Sequence, residues 1–272
     1  MIQNSILFSM MQATGYFLSV IIGFSLGLIG GGGSILTIPV LVFFFEIDPV
    51  IASTYSLFIV GLAAISGSIT HYRMHNIDYG TVLLFGIPSV MVLFIMRRYL
   101  VNLIPPVLFH SGGVVITRSV FILGIFSLLM LAAGWSMIRQ AGYVPSKEKQ
   151  NPARLVVQGC ITGAVTGFIG IGGGFIIVPS LVLFAGLPMK KAIGTSLTII
   201  ILNCFVGILS NIVAVESLNF VFLATFAAFT IAGILAGTWA TRFIPDKKLK
   251  PVFGWIILAM SVVVLVRTFV HT

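Results

Sequence analysis

Two short stretches carry the residue types that could do chemistry here. The first is GLIGGGGSILTIP, Gly27 to Pro39, and the second is GFIGIGGGFIIVP, Gly167 to Pro179. Each is followed by a Thr/Ser-bearing segment, ASTYSL at 52–57 and AIGTSL at 192–197. The glycine runs contain no acidic residue, so they do not read as a cation site. Glycine lets a ligand approach the backbone closely, and the amides at a helix N-terminus attract negative charge. Gly30, Gly31, Gly32, Gly33 and Ser34 in the first stretch, with Gly170, Gly172, Gly173 and Gly174 in the second, are therefore candidate anion ligands. Thr54, Ser56, Thr195, Ser196, Asn203 and Asn211 are candidate lining groups, and His71 is a candidate for proton coupling.

Each candidate has a plainer reading beside it. Glycines pack membrane helices closely, and Ser34 also suits a helix cap. Intrahelical Ser and Thr bond back to carbonyls of the preceding turn. Asn203 and Asn211, eight apart, fall near one helical face and would also serve as helix–helix hydrogen bonds. His71, Arg73 and His75 read as interfacial and solvated. Lys190 and Lys191 could steer anions or simply anchor a loop.

The elements that must hold these residues follow from composition. Of 272 residues, 58% are hydrophobic and 8% charged, with mean hydropathy +1.17. A soluble domain carries about 25% charge. The expected solvent is a bilayer, which needs about 20 apolar residues per span. The two glycine stretches lie in register: 167 − 27 = 140 and 179 − 39 = 140. Over positions 27–60, 13 of 34 residues match their partners at +140, four glycines and Pro39 among them. The chain therefore reads as two homologous repeats, 1–139 and 153–272, joined by a polar linker at 140–152. The fold class expected is an all-α polytopic membrane protein. Each repeat is a Gly-broken helix pair followed by three transmembrane helices. The pairs are expected at Thr14–Ile29 with Ser34–Phe45, and at Leu155–Ile169 with Phe175–Ala185. The later spans fall near 50–70, 79–96 and 119–138, then 190–214, 219–240 and 250–267. Arg97 to Arg118 reads as a loop of interfacial character.

The net charge of +9 sits in short loops, the pattern of a cytoplasmic face and not of a nucleic-acid surface. If each broken unit crosses once, the repeats are parallel and the basic residues divide nine to six. If each is a re-entrant hairpin, the repeats are inverted. One face then holds eleven, Arg73, Arg139, Lys147, Lys149, Arg154, Lys190, Lys191, Arg242, Lys247, Lys248 and Lys250, against Arg97, Arg98, Arg118 and Arg267. The sharper asymmetry favours the inverted arrangement, with both termini outside.

The duplicated Gly-rich motif with its downstream proline, the ASTYSL and AIGTSL segments, and the ending RFIPDKKLKPVFGWIILAMSV at 242–262 together resemble the sulfite exporter TauE/SafE family, also called the 4-toluene sulfonate uptake permease family. The resemblance implies export or uptake of small sulfur-containing anions such as sulfite or sulfonates across a bacterial plasma membrane. The second copy is the closer match. The first has Gly31, Ser34 and Thr54-Tyr55-Ser56 where the second has Ile171, Gly174 and Gly194-Thr195-Ser196.

The reading is a secondary transporter with the substrate between two Gly turns. An anion or small-solute channel using the same breaks is the alternative. No Gly-x-Ser-x-Gly, His-Glu-x-x-His or paired aspartate supports an intramembrane enzyme. Cys160 and Cys204 suggest buried hydrophobes, not a metal site. No cofactor and no metal are expected. The expected partners are a small anion and lipid, with a homo-oligomer allowed and nucleic acid not among them.

Overall fold

The computed structural model describes residues 2–31, 33–100, 107–111, 114–139, 151–169, 174–210 and 218–270. The first half of the chain folds as α1 (Ile2–Ile29), α2 (Gly33–Phe45) and α3 (Pro49–Arg73). A composite helix follows, with α4 (Tyr79–Thr81), a π turn at Val82–Gly86, α5 (Ile87–Ile95) and a second π turn at Met96–Leu100. Strands β1 (Val107–Ser111) and β2 (Val114–Thr117) precede α6 (Arg118–Arg139). The second half holds α7 (Pro152–Ile169), α8 (Gly174–Leu183), α9 (Met189–Leu209), α10 (Phe220–Ala240) and α11 (Asp246–Val270). Among the described residues, three helices are long and apolar enough to cross a membrane: Ile51–Arg73, Met189–Leu209 and Phe220–Ala240.

Two expectations need correcting. The segment read as a loop from Arg97 to Arg118 contains an antiparallel hairpin, with His110 paired to Val115 and Ser111 to Val114. Its second strand, VVIT, is β-branched throughout and follows Ser111-Gly112-Gly113, so local propensity supports a short ribbon. The span expected at 190–214 ends earlier, at Leu209. The linker at 140–150 lies outside the described residues.

Both broken units double back. Tyr16, midway along α1, stacks edge-on against Phe45 at the end of α2, ring centroids 5.3 Å apart. In the second unit, Thr162 of α7 bonds Ser180 of α8 at 3.3 Å. The two helices of each unit therefore pair as a hairpin. At Gly30 the backbone takes φ +77°, a left-handed conformation that glycine adopts at little cost and that reverses the chain there.

Packing fixes the direction of the other helices. Tyr16, Phe45, Tyr55 and Phe222 cluster at one end of the bundle. At the other end Arg242 Nε reaches Met74 Sδ at 3.3 Å. So α3 and α10 run parallel. Helix α9 runs antiparallel to α3: the Ser68 and Thr198 hydroxyls bond at 2.9 Å, while Gly194, near the start of α9, packs on the Cβ of His71. Helix α1 lies along α10 at backbone contact, with a Cβ at Gly23 or Gly27 blocked by the Thr230 or Ile234 carbonyl. Helix α7 does the same along the composite helix, where Gly159 and Gly163 sit on the Phe85 and Ser89 carbonyls. Small residues permit this approach, and tight packing is the main source of helix association in lipid. Finally, Gly134 of α6 and Gly254 of α11 each sit 2.9 Å, counted from an added Cβ, from the other's carbonyl oxygen.

Candidate functional site

The two hairpin tips meet. A Cβ added to Gly174, the first residue of α8, would lie 3.0 Å from the Cα of Gly31 and 3.2 Å from its carbonyl oxygen. The same Cβ would lie 2.7 Å from Cδ1 of Ile200, midway along α9. The first turn is seated on α9 as well. At Gly30 a side chain would overlap Cα of Ile193 and the Ser196 hydroxyl, each 2.8 Å away. Ile193, Ser196, Ile200 and Asn203 are spaced three, four and three apart, so they form one stripe on α9. That stripe is the wall against which Gly30 and Gly174 lie.

Helices α2 and α8 begin at these turns, and their first amides have no partner within the helix. Neither carries an acidic residue in its first turn. A helix N-terminus is equivalent to about half a positive charge. No Asp, Glu, Lys or Arg is among the buried residues described. Among the described residues, the interior therefore offers amide donors and hydroxyls with no competing carboxylate.

The candidates divide clearly. Gly30, Gly31 and Gly174 are brought together with Ser196 and the Asn203 stripe. Ser196 donates to the Gly30 carbonyl at 2.7 Å and to Ile193 at 2.8 Å, so its proton holds the first turn in place. Thr195 accepts from the Asp78 amide at 3.0 Å and belongs to a contact with α4. Thr54 and Ser56 lie buried in the first turns of α3, at the Tyr55 end, and the Thr54 hydroxyl has no partner among the described residues. Asn203 is 1% exposed, and neither its Oδ1 nor its Nδ2 has a partner among the described residues. Gly33 and Ser34 open α2. Gly32, Gly170, Gly172, Gly173 and Asn211 lie outside the described residues.

His71 is a correction. It is not solvated with its neighbours: it is fully buried in the last turn of α3, and both ring nitrogens lack a partner among the described residues. Arg73 and His75 are exposed as expected. The close packing of Gly194 onto His71 and the Asn76 carbonyl is what covers the ring's helix.

Sequence reasoning missed two contacts between the halves. The Tyr55 hydroxyl accepts from the Asn219 amide at 2.6 Å, and Thr195 accepts from Asp78 as above. Asn219 and Asp78 cap α10 and α4 with their side chains. The signal was present in the register: 195 − 55 = 140 and 219 − 78 = 141.

The family model for the sulfite exporter TauE/SafE matches residues 16–264. A probable membrane transporter protein of Xylella fastidiosa strain 9a5c is 32% identical over 257 residues, covering 92% of this chain and 93% of its own. The probable membrane transporter protein MJ0441 of Methanocaldococcus jannaschii is 26% identical, covering 80% of each chain. The probable membrane transporter protein YunE of Bacillus subtilis is 27% identical, covering 72% of this chain and 77% of its own. No solved structure matches. The chain belongs to the sulfite exporter TauE/SafE family.

Proposed function

We propose that this protein is a secondary transporter of small anions, sulfite or organosulfonates, working by alternating access in the bacterial plasma membrane. The substrate is held between the two glycine turns. The observation that carries this reading is the contact of Gly174 with Gly31 beside Ile200, where two half-helices begin. Irregular backbone is tolerated at membrane depth where it is buried in protein or lines a cavity. Transporter sites are built from such half-helix ends near the midplane.

The reading includes inverted repeats. Two helical hairpins entering from opposite ends support it, as do the helix directions. Those directions put Arg73, Arg139, Arg154, Lys190, Lys191 and Arg242 at one end and Arg98, Arg118 and Arg267 at the other. That is the sharper of the two charge divisions, and the positive-inside rule makes the richer end cytoplasmic. The crossed pairings Tyr55–Asn219 and Thr195–Asp78 support a two-fold relation, because in such a relation each contact recurs with the partners exchanged. His71, buried and unpaired among the described residues, is the group proposed for proton coupling.

Flux of labelled sulfite in proteoliposomes tests the function. Saturable flux driven by a gradient supports the transporter. Flux rising linearly with concentration supports the channel, and no flux of any anion through folded protein rejects both.

A further inference from the structure

The site's backbone donors and the Asn203 amide do not ask for the same thing. Backbone N–H groups at the starts of α2 and α8 serve the oxygens of any anion. Asn203, on the same stripe as Ser196 and Ile200, carries a donor and an acceptor, both buried and both without a partner among the described residues. An unmet acceptor in an apolar interior is costly. A fully deprotonated oxyanion cannot satisfy it, since it would set oxygen lone pairs against Asn203 Oδ1. A ligand oxygen that carries a proton can. It donates to Oδ1 while a neighbouring oxygen accepts from Nδ2, closing a two-bond ring with the amide.

Charge points the same way. The buried described residues include no Lys or Arg to neutralise a second negative charge. The helix ends supply about half a charge each, enough to offset a monoanion and not a dianion.

We propose that Asn203 makes the site selective for monoanions bearing an O–H next to the anionic oxygens, of which hydrogen sulfite is one. This rests on the anion-site reading above and adds the protonation state and the residue that reads it. Asn203 then acts on specificity, while the glycine turns bind the charge.

The test compares two near-isosteric monoanions as competitors of labelled sulfite flux, using the full-length protein in liposomes at one mildly acidic pH. Methylphosphonate carries one P–OH there, and methanesulfonate has no O–H. We expect methylphosphonate to compete about tenfold better, the order of one hydrogen bond to a charged group. Asn203→Leu should close that gap, with methanesulfonate inhibition changed little. Asn203→Gln, which keeps both amide functions, should restore part of it. If Asn203→Leu does not fold, Asn203→Ala takes its place, with a size-exclusion profile in detergent as the check. Equal competition in the unmodified protein overturns the proposal, as does a gap that survives loss of the amide. Sulfate competing as well as methanesulfonate also overturns it, because a dianion would then be accepted. Equal competition by the two monoanions in an unmodified protein that does carry saturable sulfite flux is failure of this inference alone, whereas absence of that flux in the unmodified protein is failure of the transport reading.

Discussion

The Tyr55 hydroxyl accepts the Asn219 amide proton at 2.6 Å, and this bond joins the second helix after one glycine turn to a helix start in the other half. Thr195, 140 residues after Tyr55, does the same for Asp78, 141 residues before Asn219. Each bond satisfies an amide at a capping residue. Tyr55→Phe should leave that amide unsatisfied and cost about 1 kcal/mol. Thr195→Val should cost a similar amount. The two sites are at opposite ends of the bundle, so the losses should add. Thermal unfolding of the single and double variants in detergent checks this, and unchanged Tm in both singles would remove the clasps from the account.

Close helix pairing makes a second prediction. Gly163→Ala would press a methyl into the Ser89 carbonyl, whereas a Cβ at Gly124 meets nothing within 4 Å. Gly163→Ala should destabilise by about 1–3 kcal/mol, the usual range for overpacking. Gly124→Ala should be neutral or stabilise by up to ~1 kcal/mol, as helix propensity dictates. Denaturation of the pair side by side reads the contrast.

Gly30 joins strain to contact. Its φ of +77° disfavours any other residue by roughly 1–2 kcal/mol, and its space is filled by Ile193 and Ser196. Gly30→Ala should lower sulfite flux at least tenfold while most of the protein still folds. Ser196→Ala frees the Gly30 carbonyl and should give a smaller loss of about 1 kcal/mol in stability. Flux and Tm measured on the same preparations separate the two effects.

The hairpin ends were legible because glycine and proline punctuate an otherwise apolar sequence. The expected break between Ile29 and Ser34 lies within a residue of the observed ends at Ile29 and Gly33. Whether the break crosses or turns back was carried by loop charge alone, since hydropathy reads the same in both directions. The structure adds Tyr16 against Phe45 as the direct sign of a hairpin. The burial of His71 was not legible. Its neighbours Arg73 and His75 look like an interface, and its burial comes from tertiary packing such as the contact of Gly194 with its Cβ. The strands at 107–117 had their own signal in Ser111-Gly112-Gly113 and the β-branched run after it, masked by Pro105 and Pro106 just before.

Topology can be read chemically. In a chain whose Cys160 and Cys204 are replaced by Ala, Lys191→Cys should label only from the cytoplasmic side and Arg98→Cys only from outside. Both residues are exposed, at opposite ends of the bundle. Labelling of both from one side would contradict the inverted arrangement.

The central claim is that the glycine turns hold a transported sulfur anion. The most direct measurement is flux of labelled sulfite into proteoliposomes holding the unmodified protein, Gly172→Leu or Gly173→Leu. The account predicts saturable flux inhibited by sulfonates in the unmodified protein, and its loss in both variants although each still purifies folded. Normal flux in either variant would contradict substrate contact at the second turn. Absence of any anion flux in the unmodified protein would contradict the account as a whole.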